Sequence, residues 1–198
     1  DTKVINFADQ ESGLRAAFMS AFADKIQYNK AHLFYVKYKK GVVQDEREEA
    51  AGRTRARLNE VINHYDCDDQ TAKQILCIEA ITSQTVPVGK WKDLWGIHPI
   101  ERMTEVEKTF SHQTYHPNQS DFEIGHYLSK ASLHAVDNYF MRVRRRVSQL
   151  ERGFPSASND RRLWYGRNFY RPDMAKKAAT ILMTYLNYCR TDKNKPTP

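Results

Sequence analysis

Hydrophobic and polar residues along the chain repeat in two ways, and each predicts a type of element. Short runs rich in β-branched and aromatic residues at Val4–Ala8 and His32–Tyr38 predict strands. Apolar residues spaced three and four apart predict helices at Ser12–Gln27, at Asp45–His64 and from Asp69 onward. The pattern indicates an α+β protein that is mainly α with a few β-strands.

The central part of the chain follows neither pattern. Prolines and glycines between Thr85 and Pro99 predict a loop that holds Trp91 and Trp95. The segment TEVEK is expected to form a short helix capped by Thr104. Residues 112–120 are polar and are expected to form a loop.

A long helical region is predicted from Asp121 to Arg152, with a break near Ser129–Ser132. Residues 154–171 are expected to be irregular. A last helix is predicted from Pro172 to Cys189, because proline suits the first helical turn. That helix is expected to bury its apolar residues, which are Met174, Ala178, Ile181, Leu182, Tyr185 and Leu186.

The long helical region contains an apolar stripe and an acid beside it. The stripe repeats at spacings of three and four and is expected to be buried. Asp137 lies at its edge, with Arg144 two turns further on, and it can complement the helix dipole, pair with Arg144 or bind a metal in a cleft. The stripe consists of Leu133, Val136, Phe140, Val143, Val147 and Leu150.

Positive charge is concentrated in one segment. The chain has 31 basic and 24 acidic residues, and residues 142–171 hold nine arginines, two acids and no lysine, which accounts for the formal net charge of +7. Arginine favours bidentate phosphate contacts, and the aromatic residues among these arginines can stack on bases. These features indicate nucleic-acid binding, and the alternative is that the arginines only form a solvated basic face. The expected DNA-binding residues are Arg142, Arg144, Arg145, Arg146, Arg152, Arg161, Arg162, Trp164, Arg167 and Arg171.

Several kinds of site are not indicated. The three cysteines, Cys67, Cys77 and Cys189, form no CxxC pair, so a structural zinc site is not expected. No apolar run approaches the roughly 20 residues that span a bilayer. Asp9 is different, because it follows a short apolar strand and precedes a helix, where it is either a catalytic carboxylate or an ordinary helix N-terminal acid.

Several stretches resemble a group of bacterial insertion-sequence transposases. VGKWKDLW, with IHP and TEVEK after it, is similar to a GKWKDKW segment and a SEPEK turn in that group. YLSKASLHAVDNYFMRVRRRVSQLERG is similar to the helix that follows, and RRLWYGRNFYRPDMAKKAATILMTYLNYC to the family's ending. ADQESGLRAAFMSAFADKI and HLFYVKYKK are similar to its segment around a strand-end aspartate. The similarity covers nearly the whole chain and is most specific in residues 88–153.

The resemblance implies an RNase H-like nuclease core of the DDE/DDD type. Such a core cuts and joins DNA with two divalent ions, Mg²⁺ or Mn²⁺, held by three carboxylates. By position, Asp9 would be the second carboxylate and Asp137 the third, so both are expected to be catalytic metal ligands. The family's first carboxylate lies on a strand that would precede Val4. The chain is therefore expected to be a C-terminal fragment, a partner or a degenerate derivative, and whether it is itself an enzyme stays open.

The resemblance also divides the chain into segments. Residues 1–40 would be partial RNase H-like strand and helix elements, and residues 41–120 a helical insertion with the tryptophan loop. Residues 121–190 would form an arginine-rich C-terminal helical region, and residues 191–198 a disordered tail.

The expected function is DNA transposition, by metal-activated attack of water and then of a DNA 3′-hydroxyl on phosphodiester bonds. The expected partners are DNA, further copies of the chain on DNA ends and a missing N-terminal portion, in the cytoplasm with the nucleoid and without a membrane. One alternative is a non-catalytic DNA-binding protein derived from a transposase. Another is a helical scaffold that binds an acidic protein.

Overall fold

The computed structural model describes residues 2–83, 86–89, 92–115, 119–150, 154–156, 159–163 and 169–189. The chain forms two compact units, Asp1–Leu133 and His134–Pro198. None of the helices in the described ranges is long and apolar enough to cross a membrane.

The first unit is built on a mixed sheet of five strands in the order β1-β2-β5-β4-β3, which confirms the α+β class. Strands β1 and β2 are parallel, and the other neighbours are antiparallel. The elements are β1 (Val4–Ala8), α1 (Ser12–Ala21), α2 (Ala23–Gln27), β2 (Ala31–Lys37), α3 (Gln44–Tyr65), α4 (Asp69–Ser83), β3 (Val86–Val88), β4 (Asp93–Ile97), β5 (Thr109–His112) and α5 (Asp121–Ser129).

Strand β2 lies inside the sheet and is buried on both faces. Six consecutive residues, from Ala31 to Val36, are buried. Because side chains alternate along a strand, Leu33 and Tyr35 pack with Phe18 of α1 on one face. Phe34 packs on the other face, in a cluster to which α4 and α5 contribute. The core of this unit therefore has a helical layer on each side of the sheet.

Helices α4 and α5 approach closely at Gly125. A Cβ atom at this position would lie 2.5 Å from the Ile78 Cγ1 atom and 3.2 Å from the Gln74 carbonyl oxygen. Glycine is required here because a larger residue would push the helices apart.

Four local predictions for the first unit are wrong. Ser12–Gln27 is two helices, since Phe22 has φ −120° and ψ 20° and ends α1. The predicted loop at 85–99 contains β3 and β4, which pair as a hairpin and bury Trp95. TEVEK begins in a turn closed by the Arg102–Glu105 backbone pair. His112, placed in a loop, ends β5, because pairing with β2 outweighs the polar composition.

The second unit consists of α6 (His134–Arg146), a 3-10 turn (Ser148–Leu150), a hairpin of β6 (Phe154–Ser156) and β7 (Asn159–Leu163), and α7 (Pro172–Thr184) with a π-helical turn (Tyr185–Cys189). The break predicted near 129–132 is confirmed, and α7 begins at the predicted proline.

Two predictions for the second unit are wrong. Residues 154–171 were expected to be irregular, but they include the β6–β7 hairpin. The sequence shows no alternation of apolar and polar residues there, so the pairing was not predicted. None of the residues of α7 is buried, and Ile181 is 71% exposed, so its apolar spacing does not reflect burial within the chain. The predicted disordered tail, 191–198, lies outside the described residues.

The segment boundaries stay predictions. The predicted helical insertion, 41–120, contains α3 and α4, and it also supplies β3, β4 and β5 to the sheet. This segment is therefore part of the core of the first unit.

Candidate carboxylate and nucleic-acid sites

Asp9 lies directly after β1, at the carboxyl end of the strand, and its side chain is exposed. Its Oδ1 atom accepts a hydrogen bond from the Gln10 backbone N–H at 2.8 Å, and its carbonyl oxygen accepts one from the Glu11 N–H at 2.8 Å. These bonds turn the chain from β1 into α1. The exposed carboxylate can accept further hydrogen bonds or bind a cation besides the Gln10 contact.

The turn that carries Asp9 is held by side chains from β2 and β4. The Tyr35 hydroxyl donates to the Glu11 carbonyl oxygen at 3.3 Å, and burial raises the pKa of this tyrosine. Arg15 forms an ion pair with the half-buried Asp93 at 3.3 Å. Asp93 thus has a cation partner of its own within the sheet unit.

Asp137 lies in the first turn of α6 and is exposed. An acid at this place complements the positive end of the helix dipole, as the sequence allowed. Arg144 lies in the last turn of the same helix. Asp9 and Asp137 belong to different compact units, so their joint use of a metal stays a prediction.

Within the described part of the chain, no group of three or more histidine, cysteine, aspartate and glutamate side chains is placed to hold a metal ion. The described residues therefore do not complete a three-carboxylate site. Asp9 and Asp137 would supply two of the ligands that the resemblance implies.

The arginines of α6 are grouped at its C-terminal end. Arg145 and Arg146 are exposed, while Arg142 and Arg144 are half-buried. Cations in the last helical turn are favourable because the exposed carbonyl groups there carry partial negative charge. Arginines at this location stabilise the helix, and the exposed ones can also bind an external anion.

The other predicted DNA-binding residues are described less fully. Arg171 is exposed just before α7 and lies 3.6 Å from an Asp173 carboxylate oxygen. Arg161 and Arg162 lie on β7, of which only the backbone is described. Arg152, Trp164 and Arg167 lie outside the described residues.

The apolar stripe predicted to be buried is mostly not buried. Val143 is buried, but Val136 is 40% exposed and Phe140 is 53% exposed. Leu133 is buried in the first unit, before α6 begins. The spacing correctly predicted the helix, and the burial was wrong because it needs a facing surface as well as a stripe.

Comparison with protein-family models, with curated proteins and with solved structures gives no match. The function must therefore be inferred from the chain's own residues and from the resemblance that they carry.

The sequence did not reveal a buried polar cluster between the β4–β5 connection and the end of α5. Glu105 is 2% exposed, and Lys108 and His98 are each 1% exposed. The Lys108 Nζ atom donates to Glu105 Oε2 at 3.2 Å and to the Ala131 carbonyl oxygen at 3.0 Å. The alternation of Phe110 and His112 on β5 with Lys108 just before it was the available signal.

Protonation in this cluster follows from its contacts. His98 Nδ1 accepts from the Ile100 N–H at 3.1 Å, so the ring proton is on Nε2, which donates to the Leu128 carbonyl oxygen at 3.0 Å. Burial, with the nearby charge of Lys108, lowers the pKa of His98 to about 3. Burial alone would raise the pKa of Glu105, but the Ser132 hydrogen bond and the Lys108 charge outweigh it, and the pKa is lowered.

A second pair of histidines is formed by the buried His32 and the half-buried His112, whose ring centroids are 5.7 Å apart. Burial lowers the pKa of both histidines, to about 3 for His112. Neither nitrogen of His32 makes a hydrogen bond of good geometry, although the Asn29 backbone raises its pKa slightly against the effect of burial. Both rings are therefore neutral in the folded protein.

A cleft of about 470 Å³ lies beside α3, lined in part by Arg53, Arg57, Glu101 and Glu107. Arg53 lies 3.5 Å from a Glu101 carboxylate oxygen, and Arg57 lies 3.3 Å from one of Glu79. Its arginines and carboxylates balance, so this cleft does not favour an anionic ligand.

Proposed function

We propose that this chain is a portion of an insertion-sequence transposase and that it binds DNA through the arginines of α6 and of the segment up to Arg171. The observation that best supports a DNA function is the group of arginines at the C-terminal end of α6, of which Arg145 and Arg146 are exposed. Phosphate groups are the ligands that such a group binds best.

The position of Asp9 supports an RNase H-like core in the intact protein. Catalytic groups in open α/β sheets commonly lie at the carboxyl ends of strands, where Asp9 is exposed. Ile5 and Phe7 are half-buried, and among the described residues only β2 pairs with β1. In the proposed fold, a strand carrying the first carboxylate pairs with the other edge of β1.

The proposal assigns different roles to the chain and to the intact enzyme. Asp9 and Asp137 would hold Mg²⁺ or Mn²⁺ together with a third carboxylate, and the ions would supply charge neutralisation at the phosphate. We assign DNA binding to the chain itself, because the arginines that would carry it lie on α6. Strand cutting and joining belong to a cytoplasmic, nucleoid-associated assembly of several copies.

A direct test is titration of duplex DNA at several salt concentrations. Binding through phosphates displaces counterions, so the logarithm of the affinity should fall linearly with the logarithm of the salt concentration, by about 0.9 per phosphate contact. Absence of binding at low salt, or a slope near zero, would contradict the proposal.

A second test concerns Asp137 in a protein that supplies the third carboxylate. Asp137→Asn should abolish metal-dependent strand cutting and leave DNA binding intact, because it removes a charge and nearly preserves shape. Asp121→Asn is the matched control, since Asp121 is also an exposed acid in a first helical turn. Unchanged cutting by Asp137→Asn would remove this residue from the metal site.

The exposed apolar residues of α6 favour a second candidate, which is binding to an acidic protein. Val136 and Phe140 would contact such a partner while the arginines neutralise it, whereas phosphate binding does not need them. Phe140→Ala distinguishes the two: it should leave DNA affinity unchanged, and it should weaken binding to an acidic protein.

A further inference from the structure

The link between α5 and α6 is held by buried polar side chains from the β4–β5 connection. The His98 ring donates to the Leu128 carbonyl oxygen, and Lys108 donates to that of Ala131. Glu105 Oε1 accepts from the Ser132 hydroxyl at 2.6 Å and from the Leu133 backbone N–H at 2.9 Å. These contacts reach the end of α5 and each of the last three residues before α6, Ala131 to Leu133.

The contact of Glu105 with Leu133 has the form of a helix cap. In a capping box, a glutamate at the third helical position accepts a hydrogen bond from the N–H of the residue before the helix. The third helical residue of α6 is Val136, which has no acceptor in its side chain. Glu105 supplies the missing carboxylate from another part of the chain, and its negative charge also suits a helix N-terminus.

We propose that Glu105 is a positioning residue that fixes where α6 begins, with Lys108 holding its carboxylate in place. Lys108 binds the second oxygen of Glu105 and leaves Oε1 for Ser132 and Leu133. TEVEK is therefore an anchor for a helix start 28 residues further along the chain, as the separation of Glu105 and Leu133 shows.

Fixing the first residue of α6 matters for Asp137, which lies three residues after His134. Successive residues of an α-helix are rotated by about 100° around its axis. Unwinding of the first turn would therefore change the direction in which Asp137 projects from the axis of α6. This functional consequence rests on the proposed role of Asp137, whereas the helix-start role of Glu105 does not.

Hydrogen exchange of the 198-residue chain tests the proposal without DNA or metal. Glu105→Gln should accelerate exchange of the amides of Leu133, Asp137 and Asn138 at least about tenfold more than exchange in α4, because the Leu133 N–H loses its carboxylate acceptor and the first hydrogen-bonded turn loses its anchor. Leu76→Ala is the control, since Leu76 is buried in a separate cluster with Leu58 and Ala72. It should accelerate exchange in α4 at least as much as in α6.

For each variant, the acceleration of amide exchange in α6 is divided by the acceleration in α4. If this ratio is the same for Glu105→Gln and Leu76→Ala, the proposal is overturned and Glu105 is merely a stabilising residue. Should Glu105→Gln fail to fold, Ser132→Ala removes one of the two contacts. It should still accelerate exchange at residues 133, 137 and 138 selectively, and no acceleration there would also overturn the proposal.

The two proposals can fail separately. If Glu105→Gln accelerates exchange at residues 133, 137 and 138 and the unmodified chain does not bind DNA, the helix anchor stands and the transposase function falls. If the chain binds DNA and exchange is unchanged, the reverse holds.

Discussion

Strand β2 and helix α6 both carry several large apolar side chains, but only β2 buries them. Residues Ala31–Val36 are all buried, whereas Val143 is the one buried residue among those of α6. Strand β2 has a strand on each edge and a helical layer on each face. Apolar spacing thus identifies an element, while burial depends on surfaces supplied by distant parts of the chain.

The sheet unit and α6 also differ in whether their cationic side chains are buried or exposed. Lys108, beside β5, is buried with Glu105, whereas Arg145 and Arg146 of α6 are exposed. A buried cation serves the fold and cannot bind an external anion, since removing its partner leaves an uncompensated buried charge. The exposed arginines are the ones that can bind a polyanion.

The largest expected effect compares two phenylalanines. Phe34→Ala should lower the free energy of unfolding by about 3–5 kcal/mol, because Phe34 is fully buried in the sheet core. Phe140→Ala should change it by about 0.5 kcal/mol or less, as is usual for an exposed position. Urea unfolding of both variants measures the difference. A similar loss for Phe140→Ala would mean that α6 buries its stripe in solution.

Two cations provide the next comparison. Lys108→Met should lower the free energy of unfolding by about 3–5 kcal/mol, because it leaves the Glu105 carboxylate buried without its partner. Arg145→Met should have an effect within about 0.5 kcal/mol. Combining Lys108→Met with Glu105→Leu should recover part of the loss, and a double variant that is less stable than the worse single one would argue against an ion pair.

A smaller effect is expected from acid. His98 and His112 have pKa values near 3 in the fold, against about 6.5 in an unfolded chain. The unfolded state therefore binds more protons below pH 6.5, and stability is present above that pH and is lost as the pH falls toward 3. At pH 5 each histidine should lower the free energy of unfolding by about 2 kcal/mol relative to its value well above pH 6.5.

The matched variants for this prediction are His112→Gln and His64→Gln. The first should flatten the decrease in stability between pH 7 and pH 5, as measured by urea unfolding. The second should leave it unchanged, because His64 is exposed on α3. Equal pH dependence in the two variants would show that His112 is not a source of acid sensitivity.

Much of the fold could be predicted because it is encoded locally. The long polar helix α3, the buried strand β2 and the break between α5 and α6 follow from spacing and from residue types. Strand β5 was missed because its pairing with β2 joins residues far apart in sequence. Strands β3 and β4 pair as a local hairpin, and the prolines and glycines between Thr85 and Pro99 hid them. TEVEK has helical composition, but its first two residues belong to the turn closed by Arg102 and Glu105, and Glu107 after it has a φ of 48°, which is not helical.

The candidate site divides in the same way. Asp9 at the end of β1 and Asp137 in the first turn of α6 could be located from their neighbours in sequence. The role of Glu105 could not, because its partners Ser132 and Leu133 are 27 and 28 residues away. A buried charge is recognisable only when the groups that satisfy it are known.

The central claim is that α6 presents its arginines to DNA and that they are not needed for folding. The most direct measurement is the salt dependence of DNA binding for the triple variant R142Q/R145Q/R146Q, with the α3 variant R53Q/R55Q/R57Q as control. The slope should fall by up to about 2.7 for the α6 variant, with little change in Tm. The control should change less, because Arg53 and Arg57 are paired with carboxylates. A strong loss of Tm with binding preserved, or equal losses of binding in both variants, would contradict the account.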